Sequence, residues 1–322
     1  MTARSSRTPD RVPILVTGAH RSGTTWVGKM LAASGEVAYI SEPLNVTHRP
    51  GVFSANVPYW YTYISSANEA QYLPALHQTL GLRYHAWAEM RTMHSRKDLL
   101  RMGRDWRTFI TGRLRRQRPL LKDPFAVLSI PWCIQRLGCR GVVTVRHPAA
   151  FASSLKRLNW PFDLRDLLAQ PLLMQDWLYP YQAEMNALIA SENTHPDPEK
   201  IIDQASLLWK LVYEVVDRLR PQYPGLQVVR HEDLSLGPQA GYQTLYHALE
   251  LNYTSKVEQV ILASSSAENP KELSKGDVFG TRLDSRANLH NWKKRLTPEE
   301  VTRIRQWTEP VVSRYYPDLP WD

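Results

Sequence analysis

Three short stretches carry residues whose types and spacing suit the chemistry of a bound anion. The first is Gly18-Ala19-His20-Arg21-Ser22-Gly23-Thr24-Thr25, set between an apolar run and a helical pattern. A glycine-containing turn in that setting cradles phosphate, because backbone N–H groups and a helix N-terminus converge on it. The second is Arg146-His147-Pro148, with Ser154 eight residues beyond the arginine. Arg146 leaves a strand end and Ser154 lies two turns into the next helix, with Pro148 at its start, so both can reach one anion. The third is Glu42 in Ile40-Ser41-Glu42-Pro43. It leaves the carboxyl end of a strand, where open parallel sheets place ligands, and a carboxylate there can take a proton.

The loop is close to G-x-x-x-x-G-K-[ST], but Thr24 stands where the lysine belongs and the cation has moved to Arg21. A nucleotide triphosphatase also wants a magnesium-holding aspartate at a neighbouring strand end. Here Gly141 to Val145 runs into Arg146 instead. The combination predicts a phosphate site that needs no metal. A nucleotide kinase with a degenerate loop is the runner-up reading, and a non-catalytic nucleotide-binding module is the third.

At His20-Arg21-Ser22-Gly23-Thr24-Thr25-Trp26 the chain resembles the sulfotransferases that use 3'-phosphoadenosine 5'-phosphosulfate (PAPS), whose loop reads P-[KR]-[ST]-G-T-[ST]-W/L. His20 replaces the family's proline. The resemblance implies that Arg21, Ser22, Gly23, Thr24 and Thr25 grip the 5' phosphate and that Trp26 lies near the adenine, although Trp26 reads equally well as core. The family's 3'-phosphate segment, R-x-P followed by a serine, is matched by Arg146, Pro148 and Ser154. A weaker match is Arg286-Ala-Asn288 through Trp292-Lys293 to Thr297, similar to the basic C-terminal segment that closes over the nucleotide; Arg282 rivals Arg286 for that role. The likeness spans residues 12–310. It implies a P-loop-like α/β fold and the desulfonated nucleotide PAP as product.

Sulfuryl transfer loads charge onto the departing phosphate, so preorganised donors there supply much of the catalysis. Arg21, with a planar fork and permanent charge, is the expected donor. An alcohol acceptor also needs a base. Glu42 sits where bacterial carbohydrate-type and tyrosylprotein-type members carry a catalytic glutamate; His85 and Asp123 are its rivals. Lys122, in Leu121-Lys122-Asp123-Pro124, resembles a K-x-P segment whose lysine points at the transferred group, and a paired surface lysine is the plainer alternative. His231-Glu232-Asp233-Leu234 is similar to the family's Y-E-D-L, with carboxylates read as structural.

The elements that must position these residues alternate between apolar runs and helical patterns, as in βαβ units on a mostly parallel sheet. Strands are expected at 12–17, 37–41, 119–122, 141–145 and 226–230, and helices at 24–33 and 201–219. The second helix has Ile201, Ala205, Leu208, Val212, Val215 and Leu219 on one stripe. Thr297-Pro298-Glu299-Glu300 is a capping box. The whole chain, 1–322, reads as one domain: residues 1–11 as a disordered tail, 43–118 as an insertion that is helical from about Gln71 and forms the acceptor side, and 161–200 as Pro-rich and partly loop.

Composition agrees with a globular chain. Of 322 residues, 43% are hydrophobic and 22% charged, enough for a sizeable core. Two cysteines exclude a disulfide scaffold and a four-thiolate zinc site. No apolar run approaches the roughly 18 residues of a membrane span, so a cytoplasmic protein is the simplest expectation. Net charge is +9, and residues 83–118 hold eleven Lys/Arg against three Asp/Glu. That segment reads as a solvated face or as an anion-attracting wall beside the active site. No zinc-finger spacing, aromatic RNA-binding motif or basic repeat accompanies it, so nucleic acid is not an expected partner. The expected partners are PAPS and an acceptor alcohol, either carbohydrate or small molecule; the oligomeric state is left open.

Overall fold

In a computed structural model, which describes residues 12–191, 198–274, 280–318 and 321, five strands form one sheet. They are β1 (Ile14–Thr17), β2 (Val37–Ser41), β3 (Arg118–Lys122), β4 (Arg140–Val145) and β5 (Gln227–Arg230). Their order is β2-β3-β1-β4-β5, and every neighbouring pair is parallel. The expected tail at 1–11 lies outside the described residues.

Successive side chains point to opposite faces, so each strand feeds two cores. Leu15, Ile40, Leu121, Val143 and Val145 join one apolar cluster, while Ile14, Val16, Val37, Leu120 and Val142 join another. The first is covered by the helix Pro198–Leu219, whose predicted stripe from Ile201 to Leu219 is entirely buried. The second is covered by α1 (Thr24–Ala32) and by Tyr242 and Tyr246. Strands buried on both faces read as near-continuous apolar runs. This is why β1, β3 and β4 were recognisable to within about two residues of their ends; the half-buried edge strands β2 and β5 were placed as closely from their own apolar residues.

The chain leaves β1 toward β2 but leaves β4 toward β5, so the connections diverge between the adjacent strands β1 and β4. Such a switch point opens a crevice at the carboxyl ends of the strands. Register then decides which residues meet there. Val145 pairs with Arg230, bringing Arg146 and His231 to one level, and Ser41 pairs with Lys122, bringing Glu42 just beyond Lys122.

The described residues of 161–200 are partly loop, as expected, and otherwise helical: short helices at Arg165–Leu168 and Pro171–Leu173 lead through a helical stretch at 174–181 into the helix Gln182–Ser191. Buried Leu164, Leu167, Leu173 and Leu178 supply the apolar spacing that holds them down despite the prolines. The insertion is helical as expected, at Leu73–Leu80, Ala86–Met90 and Arg96–Leu114. Its basic part, however, stands away from the crevice, and no residue between 83 and 118 lines either of the two cavities described below.

Candidate active site

The turn after β1 is held in a conformation that few residues adopt. Gly18, Arg21 and Gly23 have φ of 138°, 68° and 106°. At Gly23 glycine is also required by space, since a Cβ would lie 2.7 Å from His231 Nδ1. Ser22 is fully buried, its hydroxyl 2.6 Å from the Thr144 hydroxyl and its N–H donating to Ala19 O at 3.0 Å. Its side chain therefore fastens the loop to β4 and does not face a cavity. The long helix adds two more ties: Tyr213 OH donates to Thr144 O at 2.8 Å, and Trp209 Nε1 donates to Arg146 O at 2.8 Å. No acidic residue occupies the first turn of α1, leaving its positive end open to an anion.

On one side of the loop lies a cavity bordered by four arginines, Arg21, Arg146, Arg157 and Arg295. Arg21 Nε donates to Ser154 Oγ at 3.3 Å, and Arg146 donates to the Arg21 carbonyl at 3.2 Å. Burial, then the charges of Arg146 and Arg157, lower the Arg21 guanidinium to about 10. Burial likewise lowers Arg146, opposed by the buried Glu232 carboxylate. Arg146 Nε, Arg157 Nε and both ring nitrogens of His231 are enclosed with no hydrogen-bond partner among the described residues. Clustered, desolvated cations with orphaned donors are unfavourable unless an anion joins them. Glu232 is not available for that, because it accepts from His147 N at 3.0 Å and from Tyr316 OH at 2.7 Å. Its carboxylate is structural.

Trp26 borders the same cavity but is only 8% exposed, with Nε1 donating to Ser264 Oγ at 2.9 Å. The structure does not bring Arg286 here: its guanidinium donates to Leu236 O at 2.9 Å in a separate cleft. Arg282 does not line the cavity either, although Thr281 and Leu283 do. Arg295 supplies the cation in their stead. Trp292 stacks on His147 at 5.8 Å and accepts the Arg295 N–H at 3.0 Å, which sets Arg295 over the cavity.

On the other side lies a cavity of about 740 Å3, within the range of small-molecule sites. Its walls include Trp60, Phe125, Trp160 and Phe162, and Arg21, Thr24 and Thr25 border both cavities. From the 43–118 insertion only Asn45 and Trp60 contribute; residues 160–166 supply much of the remaining wall. His20, the departure from the proline of the resembled loop, also faces this cavity. Tyr61 OH accepts the His20 backbone N–H at 3.1 Å and lies 2.7 Å from Nδ1. In the second contact either group can donate, according to the tautomer of the ring. Burial pushes His20 down to about 3, so the ring is neutral at ordinary pH.

Glu42 opens onto the aromatic cavity from an unusual backbone, φ 53°, a region in which a non-glycine residue is strained. Its N–H donates to Lys122 O at 2.8 Å, one carboxylate oxygen accepts from Asn45 Nδ2 at 2.8 Å, and the other pairs with Lys122 Nζ. Lys122 is 1% exposed, so the alternative of a surface lysine is excluded. Asp123 accepts from Leu44 N at 2.5 Å and from Phe125 N at 3.0 Å, and it lines neither cavity. Burial raises it to about 7, but both oxygens are spent on holding the turn. His85 caps the helix Ala86–Met90 and also lines neither cavity. The structure thus brings Arg21, Glu42 and Lys122 together and leaves both rivals of Glu42 outside.

Sequence reasoning missed Arg157, Arg295 and the aromatic wall. Arg157 had a signal, one helical turn after Ser154 and hence on its face. The wall had none, because positions 60, 125 and 160 have no local relation.

No family profile and no curated protein matches the sequence. Solved structures do. The sulfotransferase domain from the curacin biosynthetic pathway is similar with a TM-score of 0.51 at 14% identity, covering 96% of this chain and 100% of that domain. The sulfotransferase domain of the Synechococcus PCC 7002 olefin synthase gives 0.43 at 16% over 98% and 100%. Sulfotransferase STF9 from Mycobacterium avium gives 0.46 at 13% over 97% and 78%. The parallel sheet, its switch-point crevice and the first of these likenesses establish that the chain has the fold of the sulfotransferases.

Proposed function

We propose that the protein transfers a sulfuryl group from PAPS to a hydroxyl acceptor. The observation that carries this reading is the meeting of two unlike cavities at one loop. Arginines border one, aromatic rings and Glu42 border the other, and Arg21, Thr24 and Thr25 belong to both. Transfer between an anionic donor and an organic acceptor needs that juxtaposition.

The residues present fit a doubly phosphorylated nucleotide. The glycine cradle at Gly23 and the open end of α1 suit one phosphate, and the orphaned donors of Arg146 and Arg157 beside Ser154 suit a second. The arginine cavity measures about 130 Å3, below the roughly 300–1,000 Å3 of ligand pockets. Glu272 narrows it, contacting Arg157 at 3.2 Å and Arg295 at 2.6 Å. Binding of the nucleotide displaces that carboxylate, exchanging one anion for a more highly charged one.

PAPS, when bound, supplies a sulfuryl group activated by its bond to phosphate. Arg21 holds the phosphate oxygen that gains charge as that bond breaks. Glu42 takes the acceptor's hydroxyl proton as the new O–S bond forms. Lys122 and Asn45 fix the Glu42 carboxylate, and Lys122, which lines neither cavity, acts through that pair. The aromatic walls seat the acceptor's apolar body and keep water from the reacting atoms.

Calorimetry without magnesium tests the donor side. PAP is expected to bind, and adenosine 5'-monophosphate to bind at least about tenfold more weakly, since it lacks a phosphate held by charge-assisted hydrogen bonds. Equal affinities would remove Arg146 and Ser154 from the site, and magnesium-dependent binding would favour phosphoryl transfer. Mass-spectrometric screening of alcohols with PAPS, read as the gain of one SO3, identifies the acceptor.

A further inference from the structure

The helix Arg96–Leu114 has two faces, and apolar side chains lie on the one exposed to water. Phe109 and Gly112 turn inward and are buried, and Asp105 on the same side pairs with Arg49. Outward, exposed Leu99, Trp106 and Leu114, with half-buried Ile110 between the last two, follow one another at intervals of seven, four and four residues. That is the spacing of an apolar stripe meant for burial. Here it faces solvent, with Leu99 55% exposed, Trp106 51% and Leu114 78%, beside Leu100 at 76%. Trp87, on the preceding short helix, is 79% exposed. Contiguous apolar surface of this kind on a folded chain marks a contact with something else.

Charge decides which something. The stripe is flanked by exposed Arg96, Lys97, Arg101, Arg104, Arg107 and Arg113, part of the segment with eleven Lys/Arg against three Asp/Glu. A second copy of the chain would bring two such basic rims together, and their repulsion opposes that pairing. An anionic bilayer answers both features: apolar side chains enter the headgroup boundary, and lysines and arginines meet lipid phosphates and carboxylates. None of these residues lines either cavity, so the face is independent of the proposed chemistry. We propose that the solvent-facing stripe of Arg96–Leu114, with its basic rim, docks the protein on an anionic membrane surface, lying in the interface without crossing it. Among the described residues no helix is long and apolar enough to cross a membrane.

Vesicle flotation tests this, using phosphatidylcholine with about one-third phosphatidylserine against phosphatidylcholine alone. The full chain is expected to float with the mixed vesicles, much less with the neutral ones, and to be released as salt rises from about 0.1 to 0.5 M. Each basic residue near such a surface contributes about fivefold in affinity. Arg96→Glu, Lys97→Glu and Arg107→Glu together are expected to weaken binding by more than about 100-fold. Leu100→Ser, Trp106→Ser and Leu114→Ser together are expected to weaken it by at least about tenfold. Melting temperature and PAP affinity are expected to stay unchanged in both variants, because every substituted side chain is exposed and remote from the cavities. Failure of the wild-type chain to bind mixed vesicles overturns the proposal, as does undiminished binding by the apolar triple variant. A dimer in sedimentation velocity that the apolar variant dissolves, with no vesicle binding, would assign the face to self-association and likewise overturn it.

Discussion

The arginine cavity and the aromatic cavity share Arg21, Thr24 and Thr25 but are built in different ways. One half of the first is assembled at strand ends, where Arg21 follows β1, Arg146 follows β4, His231 follows β5, and Ser154 and Arg157 lie on the helix after β4; residues between Ser264 and Arg295 close its other half. The second is assembled from connections that pass over the sheet edge, bringing Trp60, Phe125 and Trp160 from distant points of the chain. His20, Arg21, Thr24 and Thr25 after β1, and Glu42 after β2, tie it to strand ends. On the proposed reading, the phosphate-holding half of the arginine cavity is anchored in the sheet, while the aromatic cavity rests largely on segments that tolerate replacement. Acceptor choice can change without disturbing the phosphate site.

The sharpest way to break that division is at Glu42. Replacing it with glutamine keeps the contact to Asn45 in shape and removes the basicity. Turnover is expected to fall by at least about 10²-fold while PAP affinity stays near that of the wild type, and melting temperature is expected to fall, because Lys122 keeps a buried charge without its partner. Near-normal turnover would take the base away from Glu42, and a turnover loss no larger than that of Lys122→Met would mark the pair as structural.

Arg146→Ala probes the other side. PAP affinity is expected to drop by about 10- to 100-fold, with the weaker adenosine 5'-monophosphate little affected, because only the 3' phosphate loses charge-assisted bonds. Equal losses for both nucleotides in calorimetry would show that the arginine serves the cavity as a whole.

His231 offers a third measurement, through stability. Burial, reinforced by the Arg146 charge, holds its imidazole down at about 3, so the folded protein keeps it neutral while the unfolded chain protonates it near pH 6.5. The unfolded state then binds the extra proton between these values, and the stability His231 contributes is lost as pH falls below about 6.5. Relative to wild type, His231→Asn should therefore gain roughly 1.4 kcal/mol per pH unit between pH 6 and 4, measured by urea unfolding. A constant difference across that range would contradict a buried neutral ring.

The smallest effects concern the rim of the arginine cavity. Glu272 is half exposed, so its pairing with Arg157 and Arg295 is well screened. Glu272→Gln is expected to tighten PAP by only about two- to fivefold, by removing a competing carboxylate. Arg286→Ala should leave PAP affinity unchanged, whereas a marked loss in the same titration would return Arg286 to the nucleotide.

Much of the arginine cavity was legible in the sequence. Strands buried on both faces announce themselves as apolar runs, and Arg21, Arg146 and Ser154 sit at fixed short distances from those runs, so local spacing carried them to the right edge. Arg286 was expected at the cavity, and the structure turns it to a separate cleft, for a related reason. The stretch from Arg282 to Arg295 holds several cations, and spacing cannot say which of them turns inward. The stacking of Trp292 on His147, more than a hundred residues away in the chain, selects Arg295.

The basic segment 83–118 shows the same limit from the opposite direction. Its charge was plain in the sequence, but whether it walled the crevice or faced away depended on the inward packing of Phe109 and Gly112. What the sequence determined by itself was whatever depends on neighbours along the chain: the strands, the phosphate turn, the capping box at Thr297 and the amphipathic helix after residue 198. Only the tertiary structure decided the pairing of Glu42 with Lys122, the aromatic wall, the choice of Arg295 and the outward turn of the Leu99–Leu114 stripe. These depend on contacts between residues far apart in sequence, and such contacts form only once the apolar cores on both faces of the sheet have closed.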